Sequence, residues 1–275
     1  MIIVRAWRRG NRTRLTIHFH FYKKGSIPPQ VGVDPSNPFL KRNILKTIAL
    51  ITAAGKGQRM QSSTPKQYLC LGGKPILAQT LQVFEECTSI DGIYIIVPED
   101  HMDMVQTDIV EKYQFKKVFK LVQGGKIRQQ SVWNGLKAIR SECSIVVVHD
   151  GVRPFISQQL IAQSIEEAQK NGAAVVAVLA RDTVKRATNG EKVQTLPREE
   201  IWLAQTPQTF QFPLLMKAYQ EAQQNDILGT DDAYLVERIG HPITLIMGDY
   251  TNIKITTPED LALAEVLFSR MKKEK

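Results

Sequence analysis

From about residue 45 onward, short continuous apolar runs alternate with segments whose apolar residues recur every three or four positions. The first pattern predicts buried strands at residues 47–52, 92–97, 118–122, 145–149, 173–179 and 243–247. The second predicts amphipathic helices, among them 76–87, 127–140 and 157–170, with Val132, Leu136 and Ile139 on one helical face. Strands alternating with helices make βαβ units. The expected fold class is therefore α/β: a mostly parallel sheet flanked by helices, with ligands gathered at the carboxyl ends of its strands.

One segment breaks the rhythm. Residues 183–201 hold two strand-like runs around Asn189-Gly190, the dipeptide favoured in two-residue hairpin turns. A hairpin at about 180–202 is thus predicted as an excursion from the sheet. Two readings stay open for it, an arm that reaches a neighbouring subunit and a simple surface hairpin.

The pattern also divides the chain into residues 1–45 and 46–275. The first segment is basic at its start and then punctuated by Pro28, Pro29, Pro35 and Pro38, a composition typical of tails and linkers. Within it, Leu15, Ile17, Phe19 and Phe21 alternate with Thr16, His18 and His20, which predicts one short strand. His18 and His20 have no third ligand nearby and make a poor metal site. The segment reads as a disordered tail, as a targeting peptide, or as translated sequence upstream of the true start and absent from the mature protein.

Charge changes the picture only once it is located. The net charge is +9, yet residues 1–45 hold nine Lys/Arg against Asp34 alone, leaving the other 230 residues with 27 basic and 26 acidic groups. A nearly neutral body is not built to track a phosphate backbone, so no nucleic-acid partner is expected. No apolar run approaches the roughly 18–20 residues of a membrane span, and no secretory signal is visible, so no membrane partner is expected either. The expected location is cytoplasmic, or a plastid should residues 1–45 be a transit peptide. Cys70, Cys87 and Cys143 are odd in number and widely spaced, which suits free thiols and neither a disulfide framework nor a zinc site.

The candidate chemistry lies where strands end. Residues 48–59, IALITAAGKGQR, run from a buried strand into a loop with Gly55 and Gly57, followed by Arg59 and, in Thr64-Pro65-Lys66-Gln67, by Lys66. Glycines let backbone N–H groups approach a polyphosphate while the two cations neutralise it. Met60 occupies the third glycine slot of a dinucleotide fingerprint, and no Gly-Lys-Ser/Thr follows as a P-loop requires, so neither of those motifs applies. In residues 145–154, IVVVHDGVRP, Asp150 emerges at the end of a central strand, where a lone carboxylate suits Mg²⁺ shared with substrate phosphates, and Arg153 follows. Gly124-Gly125-Lys126-Ile127-Arg128-Gln129-Gln130-Ser131 crosses from strand to helix and offers open backbone and a Ser131 hydroxyl for the edge of a base. In residues 252–260, NIKITTPED, a period of two would place Asn252, Lys254 and Thr256 on one strand face, with Thr257 capping a last helix that starts at Pro258. Arg181-Asp182-Thr183, Pro197-Arg198, Gln205-Thr206-Pro207-Gln208 and Gly229-Thr230-Asp231-Asp232 are further polar groups, each with an ordinary structural explanation when taken alone.

In order, AAGKGQRM, TPKQY, GGKIRQQSV, HDGVRP, RDTVKRA, the Arg198–Trp202–TPQ stretch, TDDA and NIKITTPEDLALAE resemble the cytidylyltransferases of the non-mevalonate isoprenoid route. That family acts on 2-C-methyl-D-erythritol 4-phosphate, and the likeness spans residue 46 to the C-terminus. It implies a glycosyltransferase-A, nucleotide-diphospho-sugar transferase-like fold and the transfer of CMP from CTP to methylerythritol phosphate with release of pyrophosphate. It implies Mg²⁺ or another divalent cation, held at Asp150, and a homodimer whose hairpin arms complete each other's sites. By position, Ala53, Ala54, Gly55, Gly57, Gly125, Ser131, Asp150 and Gly151 would hold the nucleotide, and Arg59, Lys66 and Lys254 would act on the reacting phosphates. Arg153, Thr183, Arg198 and Thr230 would surround the acceptor, with Thr183 and Arg198 supplied by the partner subunit, and Thr256 would join Lys254 at the reacting phosphates on the substrate side. Lys126 departs from a position that is often acidic in the family, and Gly151-Val152 replaces the usual Ala-Ala. A cytidylyltransferase for another polyol phosphate, such as ribitol 5-phosphate, is the alternative.

Overall fold

The computed structural model describes residues 2–9, 12–19, 46–55, 60, 64–139, 143–188 and 192–273. The chain divides into two units, Met1–Arg42 and Asn43–Lys275. In the first, β1 (Ile2–Arg9) and β2 (Arg12–Phe19) form an antiparallel pair in register from Ile2 opposite Phe19 to Arg9 opposite Arg12. The predicted short strand thus falls on β2, but it has a partner that the tail-like reading did not foresee. A two-residue Gly10-Asn11 link between alternating runs was the available signal. His20 and Phe21 lie outside the described residues.

The second unit begins with β3 (Lys46–Thr52), the two-residue strands β4 (Cys70–Leu71) and β5 (Lys74–Pro75), α1 (Ile76–Glu86) and β6 (Gly92–Val97). It continues through the short α2 (Met102–Val105), β7 (Val118–Gln123), α3 (Arg128–Ala138), β8 (Cys143–Asp150), α4 (Gln158–Asn171) and β9 (Ala173–Leu179). A hairpin of β10 (Val184–Thr188) and β11 (Lys192–Leu196) follows, then β12 (Trp202–Gln211), α5 (Phe212–Gln224), α6 (Asp232–Arg238), β13 (Thr244–Met247) and α7 (Pro258–Lys273). Seven strands form one sheet in the order β13-β9-β12-β8-β3-β6-β7. All its pairings are parallel except those of β12, which runs antiparallel to both β8 and β9. The hairpin forms as expected, although its Asn189-Gly190 turn lies outside the described residues.

Side-chain alternation explains both layers. On β3, Ala49 and Ile51 join the core under α1 and α4, while Ile48 and Leu50 join the core under α3, α5 and α6. On β8, Ile145 and Val147 take the first side and Val146 and Val148 the second. Strands buried on both faces have no polar positions to spare, which is why they read as unbroken apolar runs. The helix α3 sits close on β3 and β6 at Gly135, where a Cβ would fall 2.8 Å from Ile96 Cδ1. A third cluster, with Leu71, Ile76, Val152, Phe155, Ile255 and Ala264, fastens α7 over the loop that follows β8.

Two sequence expectations need correction. The strand β12 was not foreseen, because Gln205-Thr206-Pro207-Gln208 is polar and holds a proline, which hides a central strand. These polar side chains are buried and satisfied: Gln205 donates to the Asp249 carbonyl at 2.9 Å, and Thr209 meets Ser164 at 2.8 Å. The register shift between Ala204 and Gln208 absorbs Pro207, which has no N–H for the ladder. Residues 252–256 are not a strand. Asn252 and Ile255 are fully buried and Lys254 is not, but the segment is irregular, held to Val152 by one backbone hydrogen bond from Ile255 at 3.0 Å. Alternation there reflects a chain laid over one apolar cluster, with no neighbouring strand.

Candidate active site

The alternation along β8 ends on two polar residues that face opposite ways. His149 continues toward the α1 side, where its ring packs 4.9 Å from that of Phe84, and Asp150 turns toward α3. Among the described residues, Asp150 is met by three cations. Lys254 Nζ lies 3.0 Å and Arg153 Nε 3.2 Å from Oδ2, and Arg128 Nε lies 3.9 Å from Oδ1. Thr52 Oγ1 adds a weaker contact to Oδ1 at 3.4 Å. Burial alone would raise the Asp150 carboxyl; Lys254, Arg128 and Arg153 overcome it and hold the group well below the usual carboxylate range. Asp150 is therefore ionised at neutral pH.

Each cation has its own support. Lys254 stands between Ile253 and Ile255, both in the cluster under α7. Two residues on, Thr256 Oγ1 and the Thr256 and Thr257 amides all donate to Asp260 Oδ2, at 2.8 to 2.9 Å, and the Asp260 amide returns to Thr257 Oγ1 at 3.3 Å. Thr257 caps α7 as its sequence predicts, and Thr256 is tied to that cap. Arg153 donates from Nη1 to the Asn252 carbonyl at 2.7 Å. Arg128, at the start of α3, donates to Asp232 Oδ2 at 2.7 Å, and the buried Tyr219 hydroxyl donates to the other Asp232 oxygen.

The glycine segments border this group. Gly151 donates its amide to the Thr52 carbonyl at 2.9 Å, and its carbonyl accepts from Thr80 at 3.1 Å. A Cβ on Gly124 would lie 2.4 Å from Ala54 Cβ, so only glycine lets the loop before α3 rest on the end of β3. Ser131 Oγ accepts from the Gly125 amide at 2.9 Å and donates to the Ile127 carbonyl at 3.1 Å, so it braces the glycine loop. Gln67 reaches back from the Lys66–Tyr68 turn to the Ala53 carbonyl at 2.8 Å, setting Lys66 beside the same strand end. Gly55 is exposed; Gly57 and Arg59 lie outside the described residues.

The structure therefore unites Ala53, Ala54, Gly125, Ser131, Asp150, Gly151, Arg153 and Lys254 around neighbouring strand ends. Thr183 and Arg198 are exposed at the base of the hairpin, where Arg198 donates to the Arg181 carbonyl at 3.1 Å, so within one chain its contacts are local to the arm. Thr230 is exposed just ahead of α6. Sequence reasoning assigned no role to Arg128, Asp232, His149, Thr206 or Asn252. Arg128 stood inside a quoted motif, but its partner Asp232 is 104 residues away, and nothing in the spacing announces the pair.

A doubly covered, mostly parallel sheet with glycine loops and a cation-ringed carboxylate at its strand ends places a ligand site at those ends, and likeness to known sequences and structures makes the class a nucleotide-diphospho-sugar transferase-like nucleotidyltransferase. The sequence model for 2-C-methyl-D-erythritol 4-phosphate cytidylyltransferase matches residues 47–270. Enzymes of that name from Geotalea uraniireducens and Geobacter metallireducens are 49% and 47% identical, over 84% and 80% of this chain and 100% and 97% of theirs. The crystal structure of the 4-diphosphocytidyl-2C-methyl-D-erythritol synthase from Anaerococcus prevotii superposes with a TM-score of 0.74 at 34% identity, covering 82% of this chain and 96% of its own. That of the cytidylyltransferase from Thermus thermophilus gives 0.66 at 35%, covering 81% and 98%. The chain belongs to the 2-C-methyl-D-erythritol 4-phosphate cytidylyltransferase family.

Proposed function

We propose that this enzyme transfers CMP from CTP to 2-C-methyl-D-erythritol 4-phosphate, giving 4-diphosphocytidyl-2-C-methyl-D-erythritol and pyrophosphate for isoprenoid biosynthesis. The observation that carries the reading is the Asp150–Arg153–Lys254 group at the end of β8, in a chain of this family. An acceptor phosphate oxygen attacks the α-phosphorus of CTP, the bond to the bridging oxygen breaks, and pyrophosphate leaves with its electrons. A phosphate monoester is largely ionised near neutrality, its second pKa being about 6, so the attack needs no general base. The nearest histidine supports this. Burial pushes His149 down to about 4, and its two ring nitrogens are engaged by Thr206 and the Arg153 carbonyl.

Rate acceleration then rests on alignment and on neutralising charge as the α-phosphorus is attacked. Lys66 and Arg59 would face the triphosphate, Lys254 and Thr256 the reacting phosphates, and Arg153 and Thr230 the acceptor, while the Ala53–Gly57 and Gly125–Ser131 segments with Gly151 would seat the nucleoside. Asp150 fits a magnesium ion by donor chemistry: among the described residues no group of three ligating side chains exists, and Mg²⁺ favours one carboxylate with phosphate oxygens and water. Among the described residues its Oδ1 has only the 3.4 and 3.9 Å contacts. A bound Mg²⁺ would draw charge from the phosphates. Thr183 and Arg198 would enter the partner's site in a homodimer. Pyrophosphate release from CTP and Mg²⁺, with methylerythritol phosphate and ribitol 5-phosphate offered separately, tests the assignment. Turnover is expected with the first alone, and turnover only with ribitol 5-phosphate would overturn it.

A further inference from the structure

Behind Asp150 runs a closed circuit of hydrogen bonds that none of the assigned binding residues explains. The Asp150 amide donates to Thr206 Oγ1 at 3.1 Å, and Thr206 Oγ1 lies 3.0 Å from His149 Nδ1. His149 Nε2 lies 3.1 Å from the Arg153 carbonyl, which can only accept. That fixes the tautomer: Nε2 carries the proton, Nδ1 accepts, and the Thr206 hydroxyl donates to it while accepting from Asp150. Asn252 closes the ring. Its Nδ2 donates to the Thr206 carbonyl at 2.9 Å and to Gln205 Oε1 at 3.0 Å, and its own carbonyl receives Arg153 Nη1 at 2.7 Å. His149 and Asn252 are fully buried, and Thr206 is 4% exposed.

We infer that His149, Thr206 and Asn252 are positioning residues for the transfer, a buried clamp that sets the mutual placement of Asp150, Arg153 and Lys254. The clamp grips both ends of the Asp150–Arg153 loop, at one amide and one carbonyl. Through Asn252 it also grips the irregular segment whose next residue but one is Lys254. Among the described residues no strand pairing holds that segment, so the distance between Lys254 and Asp150 depends on these bonds together with the Ile255 to Val152 link, the packing of Ile253 and Ile255, and the tie of Thr256 to the α7 cap. Directional bonds between buried partners suit this task, since little water competes for them. Thr206 is the keystone: one hydroxyl satisfies an amide from β8 and a ring nitrogen from the same strand, and its carbonyl takes Asn252.

The clamp rests on the cytidylyltransferase reading, so the parent enzyme turning over methylerythritol phosphate is the control that separates the two. Thr206→Val removes the hydroxyl and keeps the shape. Displacement of reacting groups by about 1 Å costs about 10²-fold in rate, and a kcat loss of that order is expected, with a raised KM for the acceptor. The melting temperature should fall by several degrees, because the Asp150 amide and His149 Nδ1 lose a buried partner. CTP binding by calorimetry should weaken by less than kcat falls, and Thr206→Ser should recover kcat to within about threefold, since its hydroxyl makes both bonds. Parent-like kcat in folded Thr206→Val would overturn the inference, as would a loss that serine does not recover. A fall in titrated active sites with unchanged kcat per site would also overturn it, because that is what a merely structural residue gives. Should the valine variant not fold, His149→Asn decides by the same criteria. It leaves an acceptor for Thr206 and releases the Arg153 carbonyl, so kcat should fall and the acceptor KM rise; parent values for both would overturn the clamp.

Discussion

At the scale of single residues, charge and burial divide the work. Lys66 contributes little to the core, being half-buried on a short turn held by Gln67. Lys66→Ala is therefore expected to lower kcat by about 10²-fold or more, in the range seen when one donor to developing charge is removed, with the melting temperature nearly unchanged; near-parent turnover would remove Lys66 from the mechanism. The thiols offer a second test. Cys70 is exposed, Cys87 is buried, and burial pushes the Cys143 thiol up to about 12, so at pH 8 Cys143 stays protonated and slow to react. Titration of native protein with a thiol reagent at pH 8 should find one fast group, Cys70, with half-buried Cys143 slower and Cys87 reacting only after denaturant is added; a Cys143 as fast as Cys70 would contradict its raised thiol.

Elements decide where these residues stand. The N-terminus of α7 matters beyond its own stability because its cap also holds Thr256, two residues from Lys254. Burial would raise the Asp260 carboxyl, but donors from Thr256 and Thr257 pull it below its usual value, so the cap is charged at neutral pH. Thr257→Ala should cost about 1 kcal/mol of stability in urea, the usual worth of an N-cap, and should raise the acceptor KM as well. A stability loss with unchanged kinetics would mean that the cap and the site are uncoupled. β12 teaches the complementary lesson. Its polar face hides the strand until its partners are known: Gln208 accepts from the Asp232 and Ala233 amides and donates to Asp231, fixing the start of α6 from inside the sheet.

On the scale of the whole molecule, one chain leaves Thr183 and Arg198 exposed on the arm, where among the described residues Arg198 meets Arg181 and Glu199 of the arm itself. If the arm completes a partner's site, two inactive variants should rescue each other. Mixing Arg198→Ala with Lys66→Ala after subunit exchange gives heterodimers with one intact site and one doubly altered, so about a quarter of parent activity should return, by the statistics of a two-fold dimer. No recovery in verified heterodimers would place Arg198 in its own subunit's site.

The sequence by itself determined the apolar runs of the buried strands other than β12, the cap of α7, the glycine loops, and Asp150 as the polar residue that ends β8, because these depend on neighbours within a few positions. It also carried a motif order specific enough to indicate the family. Only the tertiary structure decided that Gln205–Gln208 lie in a central strand, that residues 252–256 are held without strand pairing, and that Arg128 meets Asp232. The same holds for Thr206, which closes a circuit around His149 and Asp150. Those contacts join residues 44 to 104 positions apart. A buried polar side chain is stable only when a distant partner satisfies it, and composition along the chain does not say which partner will arrive.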